Sequence, residues 1–159
     1  MEEKILKILE NGGVVDATQI ATMLDEDVNL VEATIEKMKE KGIILKYKAL
    51  INWEKTGREV VTSYIELRVT PQRGEGFDKI AERIYQYPEV KTVHLMSGSY
   101  DLGVIIEGVS MKEVALFVAE KLAPMENVVS TKTHFVLRKY KEDGVIFEAE
   151  RIDERVMMG

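Results

Sequence analysis

The 159 residues contain no cysteine, which removes disulfides, thiolate zinc sites and thiol nucleophiles together and fits a reducing compartment. Histidine is almost as scarce: His94 and His134 are the only two. No carboxylate pair, glycine-rich phosphate loop or activated serine accompanies them. They read as unrelated polar residues on a sheet surface, so no catalytic residue, metal site or cofactor is expected. No apolar run reaches the ~20 residues of a membrane helix. The opening Met1-Glu2-Glu3-Lys4 lacks the basic start and apolar stretch of a secretory signal. A cytoplasmic protein with no membrane partner is the expectation. Positive charge is short as well, with 22 Lys and Arg against 28 Asp and Glu, a net of −6. Low-complexity tracts and fixed-period repeats are absent. What remains is a globular composition, 45% hydrophobic and 31% charged, long enough for one domain or two small ones.

The first third of the chain has a helical rhythm. Ile5, Ile8 and Leu9 share one face of a helix over Glu2 to Asn11, with Leu6 beside them, and Gly12-Gly13 follows. Asp16 and Gln19 have the spacing of a reciprocal cap, so a second helix begins there, with Ile20, Met23 and Leu24 expected inward. Asp27 is a natural cap for a third helix, in which Val31, Ile35 and Met38 fall at i, i+4, i+7 and Gly42 is the stop. Two short helices around the acidic turn Asp25-Glu26-Asp27 have the spacing of a helix-turn-helix. The run Ile43 to Ile51 is rich in strand formers and sets Lys46 and Lys48 on one side. With an expected strand pair there, residues 1–52 form a winged helix-turn-helix DNA-binding domain.

Asn52 to Gly57 is a polar, glycine-ended stretch between unlike patterns, and the rhythm changes beyond it. Ile65, Leu67 and Val69 alternate; Phe77, Ile80, Ala81 and Ile84 repeat at helical spacing; Val93 and Leu95 alternate, then Leu102, Val104 and Ile106. Ser110 and Glu113 form a capping box ahead of a helix with Met111, Val114, Ala115, Val118 and Leu122 expected inward. Val129 to Arg138 is a last alternating strand. The order β-α-β-β-α-β over 58–140 is that of a ferredoxin-like sandwich, giving an α+β protein. Both helices then cover one sheet face, and a second copy is the natural cover for the other, so a homodimer at least is expected. The extension 141–159 carries a turn at Glu142-Asp143-Gly144, a short apolar run Val145 to Phe147, and then mostly charges. It either adds an edge strand or stays loose.

Gln19-Ile20-Ala21, the Val31, Ile35, Met38, Gly42-Ile43-Ile44 run, the Gly98-Ser99-Tyr100-Asp101 turn and the Thr131-x-Thr133 strand together resemble the leucine-responsive regulatory protein (Lrp/AsnC) family over nearly the whole chain. The resemblance implies a transcriptional regulator whose second domain dimerises, often assembles into octamers, and in many members binds an amino acid or related small effector between subunits. The chain departs from the family pattern at Asp25-Glu26-Asp27, where a glycine and small polar cap are usual, and at Thr34 and Glu36, where Arg or Lys is usual.

Two candidate sites follow. On the third helix Asn29, Glu32 and Ala33 are placed to meet adenine, cytosine and a thymine methyl of double-stranded DNA, with Thr34 beside them. Lys37, Lys46 and Lys48 are placed to hold phosphate. In the second domain Asp101 is placed to take an effector's ammonium, and the backbone N–H groups of Ser97, Gly98, Ser99 and Tyr100 its carboxylate. Met96, Thr131 and Thr133 would line the rest. A plain hairpin turn accounts for the glycine equally well. Residues 1–57 hold 8 Lys and Arg against 11 Asp and Glu. That balance keeps a second function open: an effector-sensing oligomeric module that has lost DNA binding and acts through a protein partner. Tyr47 and Trp53 are expected to pack the wing against the linker.

Overall fold

Asp16 and Asp27 decide where the second and third helices begin. In the computed structural model, which describes residues 1–147, the Asp16 carboxylate accepts from the Gln19 N–H at 2.8 Å and the Gln19 side chain accepts from the Asp16 N–H at 3.1 Å. Asp27 accepts from the Leu30 N–H at 3.1 Å. These bonds satisfy helix-terminal donors that have no partner within the helix. The helices are α1 (Glu2–Asn11), α2 (Ala17–Leu24) and α3 (Val28–Glu40). Between α2 and α3 an aspartate does what glycine commonly does: Asp25 has φ 55°, and the Glu26 N–H returns to the Ala21 carbonyl at 3.0 Å. Gly42, at φ 70°, ends α3 while the Ile43 N–H reaches back to the Met38 carbonyl.

The chain divides into two compact units, Met1–Ile51 and another beginning at Asn52. Ile5, Ile20, Ala21, Val31, Ile35 and Met38 close the first core. Met23, expected inward, is 65% exposed. The buried stripe of α2 runs Ala17, Ile20, Ala21, Leu24 at i, i+3, i+4, i+7, and Met23 lies off its edge. The expected strand pair after α3 is not formed among the described residues: 45–52 have no regular structure. A hairpin needs a turn, and Ile43 to Ile51 contains no Gly, Asn, Asp or Pro at which to fold back.

In the second unit, after a short 3₁₀ turn at Trp53–Thr56, come β1 (Val61–Val69), α4 (Asp78–Tyr85), β2 (Val90–Leu95), β3 (Leu102–Gly108), α5 (Met111–Phe117) and β4 (Val128–Phe135). The four strands are all antiparallel in the order β2-β3-β1-β4. Ile65, Leu67 and Val69 alternate onto the face that Ile80 and Ile84 of α4 and Val114 and Phe117 of α5 cover. Ser63 is buried among them and donates its hydroxyl to the Ile106 carbonyl at 3.2 Å, so the polar group is satisfied.

Past Phe117 the helix widens into one broad turn over Val118–Leu122, with the Ala123 N–H bonded to the Val118 carbonyl. Leu122 is thereby fully buried with Val118. Met111 and Ala115, expected inward, are exposed, and Phe117 is the inward residue not foreseen. Leu95 shares a face with Val93 but is 63% exposed at the end of an edge strand. The last strand stops at Phe135 rather than Arg138. Beyond it β5 (Lys141–Glu142) and β6 (Val145–Ile146) make their own hairpin, whose turn residues Asp143 and Gly144 both have positive φ. The remainder of the expected extension, 148–159, lies outside the described residues.

Candidate functional site

The third helix presents Asn29, Glu32, Ala33 and Lys37 to solvent on one side. Thr34 is half-buried and its hydroxyl donates to the Leu30 carbonyl at 2.7 Å, so toward any further group it can only accept. One turn on, Lys39 donates to Glu36 at 2.7 Å, and that bond holds the lysine above its ordinary pKa. Lys39 is thus neutralised locally, whereas Lys37 has no ion-pair partner among the described residues. The Lys39 ammonium also lies 5.7 Å from the centre of the Tyr47 ring, which brings the 43–51 run past the last turn of α3. Lys46 and Lys48 flank Tyr47 and are exposed. Tyr47 thus lies beside the helix end, and Trp53 stacks with the Arg58 guanidinium at 4.5 Å.

The loop from Met96 to Asp101 is tied into the sheet at its second end. The Asp101 N–H donates to the Leu67 carbonyl at 3.0 Å, and the Met96 N–H donates to the Asp101 carbonyl at 2.8 Å. At the point where the β1–β4 register shifts, the Val69 N–H donates to Asp101 Oδ2 at 2.9 Å. One carboxylate oxygen is therefore committed to the strand. Ser97, Gly98 and Ser99 are exposed, while Met96, Tyr100 and Asp101 are half-buried.

Tyr100 meets a residue that the sequence reading did not single out. Its hydroxyl lies 2.7 Å from that of Tyr64, with the rings edge to face at 6.3 Å. The Tyr64 ring crosses Gly103, where a Cβ would collide with its hydroxyl. The hydrogen bond to Tyr100, with burial second, pushes the Tyr64 phenol up to about 12. The clue was parity: Tyr64 and Glu66 alternate with the core residues Ile65 and Leu67, so both fall on the open sheet face.

Thr131 and Thr133 do not join this cluster. They pair with Leu67 and Ile65, so they share the helix-covered face, whereas Lys132 and His134 of the same strand lie on the open one. His134 Nε2 is 2.6 Å from Glu66 Oε2 there. His94 and His134 stand on the two edge strands, roughly 14 Å apart at ~4.8 Å per strand step, so they share no ligand. Among the described residues no three His, Asp or Glu gather as a metal site, and no helix is long and apolar enough to cross a membrane.

Three helices, two of them capped by aspartates, ahead of a split β-α-β-β-α-β sheet define a two-part protein of mixed α/β class. The family model of the Lrp/AsnC ligand binding domain matches residues 62–146. YugG of Bacillus subtilis, an uncharacterized HTH-type transcriptional regulator, is 48% identical over 99% of this chain and 95% of its own length. The HTH-type regulator FL11 of Pyrococcus furiosus is 27% identical over 89% of this chain and 91% of its own. The chain belongs to the Lrp/AsnC family of transcriptional regulators, which are not enzymes. Among solved structures, the Neisseria meningitidis regulator NMB0573, crystallised with L-Met, superposes with a TM-score of 0.71 at 19% identity, covering 89% of this chain and 90% of that one. E. coli AsnC superposes at 0.67 with 18% identity, covering 89% and 93%.

Proposed function

We propose that the chain is a sequence-specific DNA-binding transcriptional regulator whose grip on DNA answers to an amino acid or related small effector. The observation that carries the reading is the end-to-end 48% identity to a helix-turn-helix regulator, joined to an α3 face that is free at Asn29, Glu32, Ala33 and Lys37. In this reading α2 and α3 are the helix-turn-helix and α3 enters the major groove, Lys37, Lys46 and Lys48 holding phosphates. The 43–51 run is the wing. The open sheet face pairs with a second copy, and larger assemblies up to an octamer build on that dimer. The L-Met complex of a fold relative supports an amino acid as the effector class. An ammonium on the second carboxylate oxygen of Asp101 and a carboxylate on the N–H groups of Ser97 to Tyr100 would fit one.

The mechanism is one of spacing. Two α3 helices engage paired half-sites only when held about one helical turn, roughly 34 Å, apart. An effector that prefers one dimer geometry over another therefore changes DNA affinity. A gel shift on the chain's own upstream region, at two salt concentrations and with each standard amino acid, tests this. Retarded DNA whose affinity falls with salt and shifts with one amino acid is the expected result. No retardation at low salt overturns it and favours the second reading, a sensing module acting through a protein partner, to which the 8 to 11 charge balance of residues 1–57 points.

A further inference from the structure

The outer side of α5 and of the turn that follows it carries exposed apolar residues among its charges. Val114, Phe117, Val118 and Leu122 already bury one face against the sheet, yet Leu116 is 47% exposed on the other side, with Met111 48% exposed at the start of the helix and Val109 65% exposed just before it. Ala115 and Ala119 are exposed beside them, so a neighbouring backbone can come close to this surface. Leu116 is centred between two opposite charges, Lys112 four residues before it and Glu120 four after, both exposed. Neither belongs to an ion pair among the described residues.

We infer that this α5 surface docks on the same surface of a second copy, the two helices running antiparallel about a two-fold axis at Leu116. That operator stacks Leu116 on its equivalent and lays Lys112 of each copy against Glu120 of the other, about 6 Å along the helix on either side of the axis. A parallel arrangement would oppose lysine to lysine and is disfavoured. The charge order is therefore self-complementary in one direction only. The surface lies on the opposite side of the domain from the open sheet face. The inference deepens the reading of the chain as an assembling regulator: one two-fold contact on each side of the domain joins dimers into a larger particle, where either alone stops at two.

The experiment is light scattering coupled to size exclusion on the full chain, comparing the wild type with Leu116→Glu, Lys112→Glu, Glu120→Lys and the Lys112→Glu/Glu120→Lys double variant. Leu116→Glu is expected to lower the particle mass at least twofold. Each single charge reversal shifts the assembly to higher protein concentration, and the double variant restores it. Because all three positions are exposed, circular dichroism stays unchanged. An unaltered mass for Leu116→Glu, or a double variant no better than the singles, overturns the inference. The sheet contact is read separately: Leu116→Glu stopping at a dimer leaves that contact standing, whereas Leu116→Glu yielding monomers means that α5 alone makes the dimer.

Discussion

Tyr64 holds its proton harder than a free phenol, because the hydroxyl of Tyr100 and burial both favour its neutral form. With the folded value raised from 10.0 to about 12, the stabilisation is fully present below the unfolded value and is lost as pH climbs through the folded one. Followed by phenolate absorbance, one tyrosine should therefore titrate after the others, and Tyr100→Phe should bring it back among them. Asp101 invites a paired test of a different kind. Asn at this position still offers an oxygen to the Val69 N–H, so Asp101→Asn should keep stability within about 1 kcal/mol while weakening effector binding. Asp101→Ala removes a charge-assisted hydrogen bond and should cost roughly 1.5–3 kcal/mol in denaturant melts. If Asp101→Asn binds effector as the wild type does, the carboxylate is a strand clip and nothing more.

At the scale of the element, the caps were the most legible part of the sequence, since Asp16 with Gln19, Asp27 and Gly42 act through bonds that span at most five positions. Asp27→Ala should lower stability by about 1 kcal/mol and, by loosening the start of α3, weaken DNA binding, both measurable on one preparation. The order of strands and helices along the chain and the inward faces of β1, β3 and α4 were legible too, because periodicity reports burial directly. The Tyr64–Tyr100 contact was not: it needs the register that sets β1 against β3, and registers come from pairings distant in sequence. The same blindness put Thr131 and Thr133 in one wall with Tyr100, although they lie on opposite faces of the sheet. The strand pair expected in the wing was misjudged for another reason, a run of strand formers with no turn in it. Its charges remain testable: Lys46→Ala should weaken DNA binding for all sequences alike and lower the salt slope by about one unit. An unchanged slope removes the wing from the interface.

For the whole molecule, a net charge of −6 does not forbid a polyanionic partner, since charges farther than a Debye length, ~10 Å at 0.1 M salt, contribute little. What counts is local: residues 36–48 hold five lysines and two glutamates. Assembly is the second property at this scale. Ile105 is half-buried on the open sheet face, between Tyr64 and Thr92 on the neighbouring strands. Ile105→Arg should break the proposed sheet-to-sheet contact, lowering the particle mass in sedimentation, and weaken binding to a two-site operator by roughly 100-fold or more, as expected when linked sites are severed. The paired phenols carry a last implication. Two hydroxyls have two hydrogens between them and their mutual bond consumes one. Whichever ring gives, the other keeps a spare proton, so the pair as a whole always has one donor left to offer.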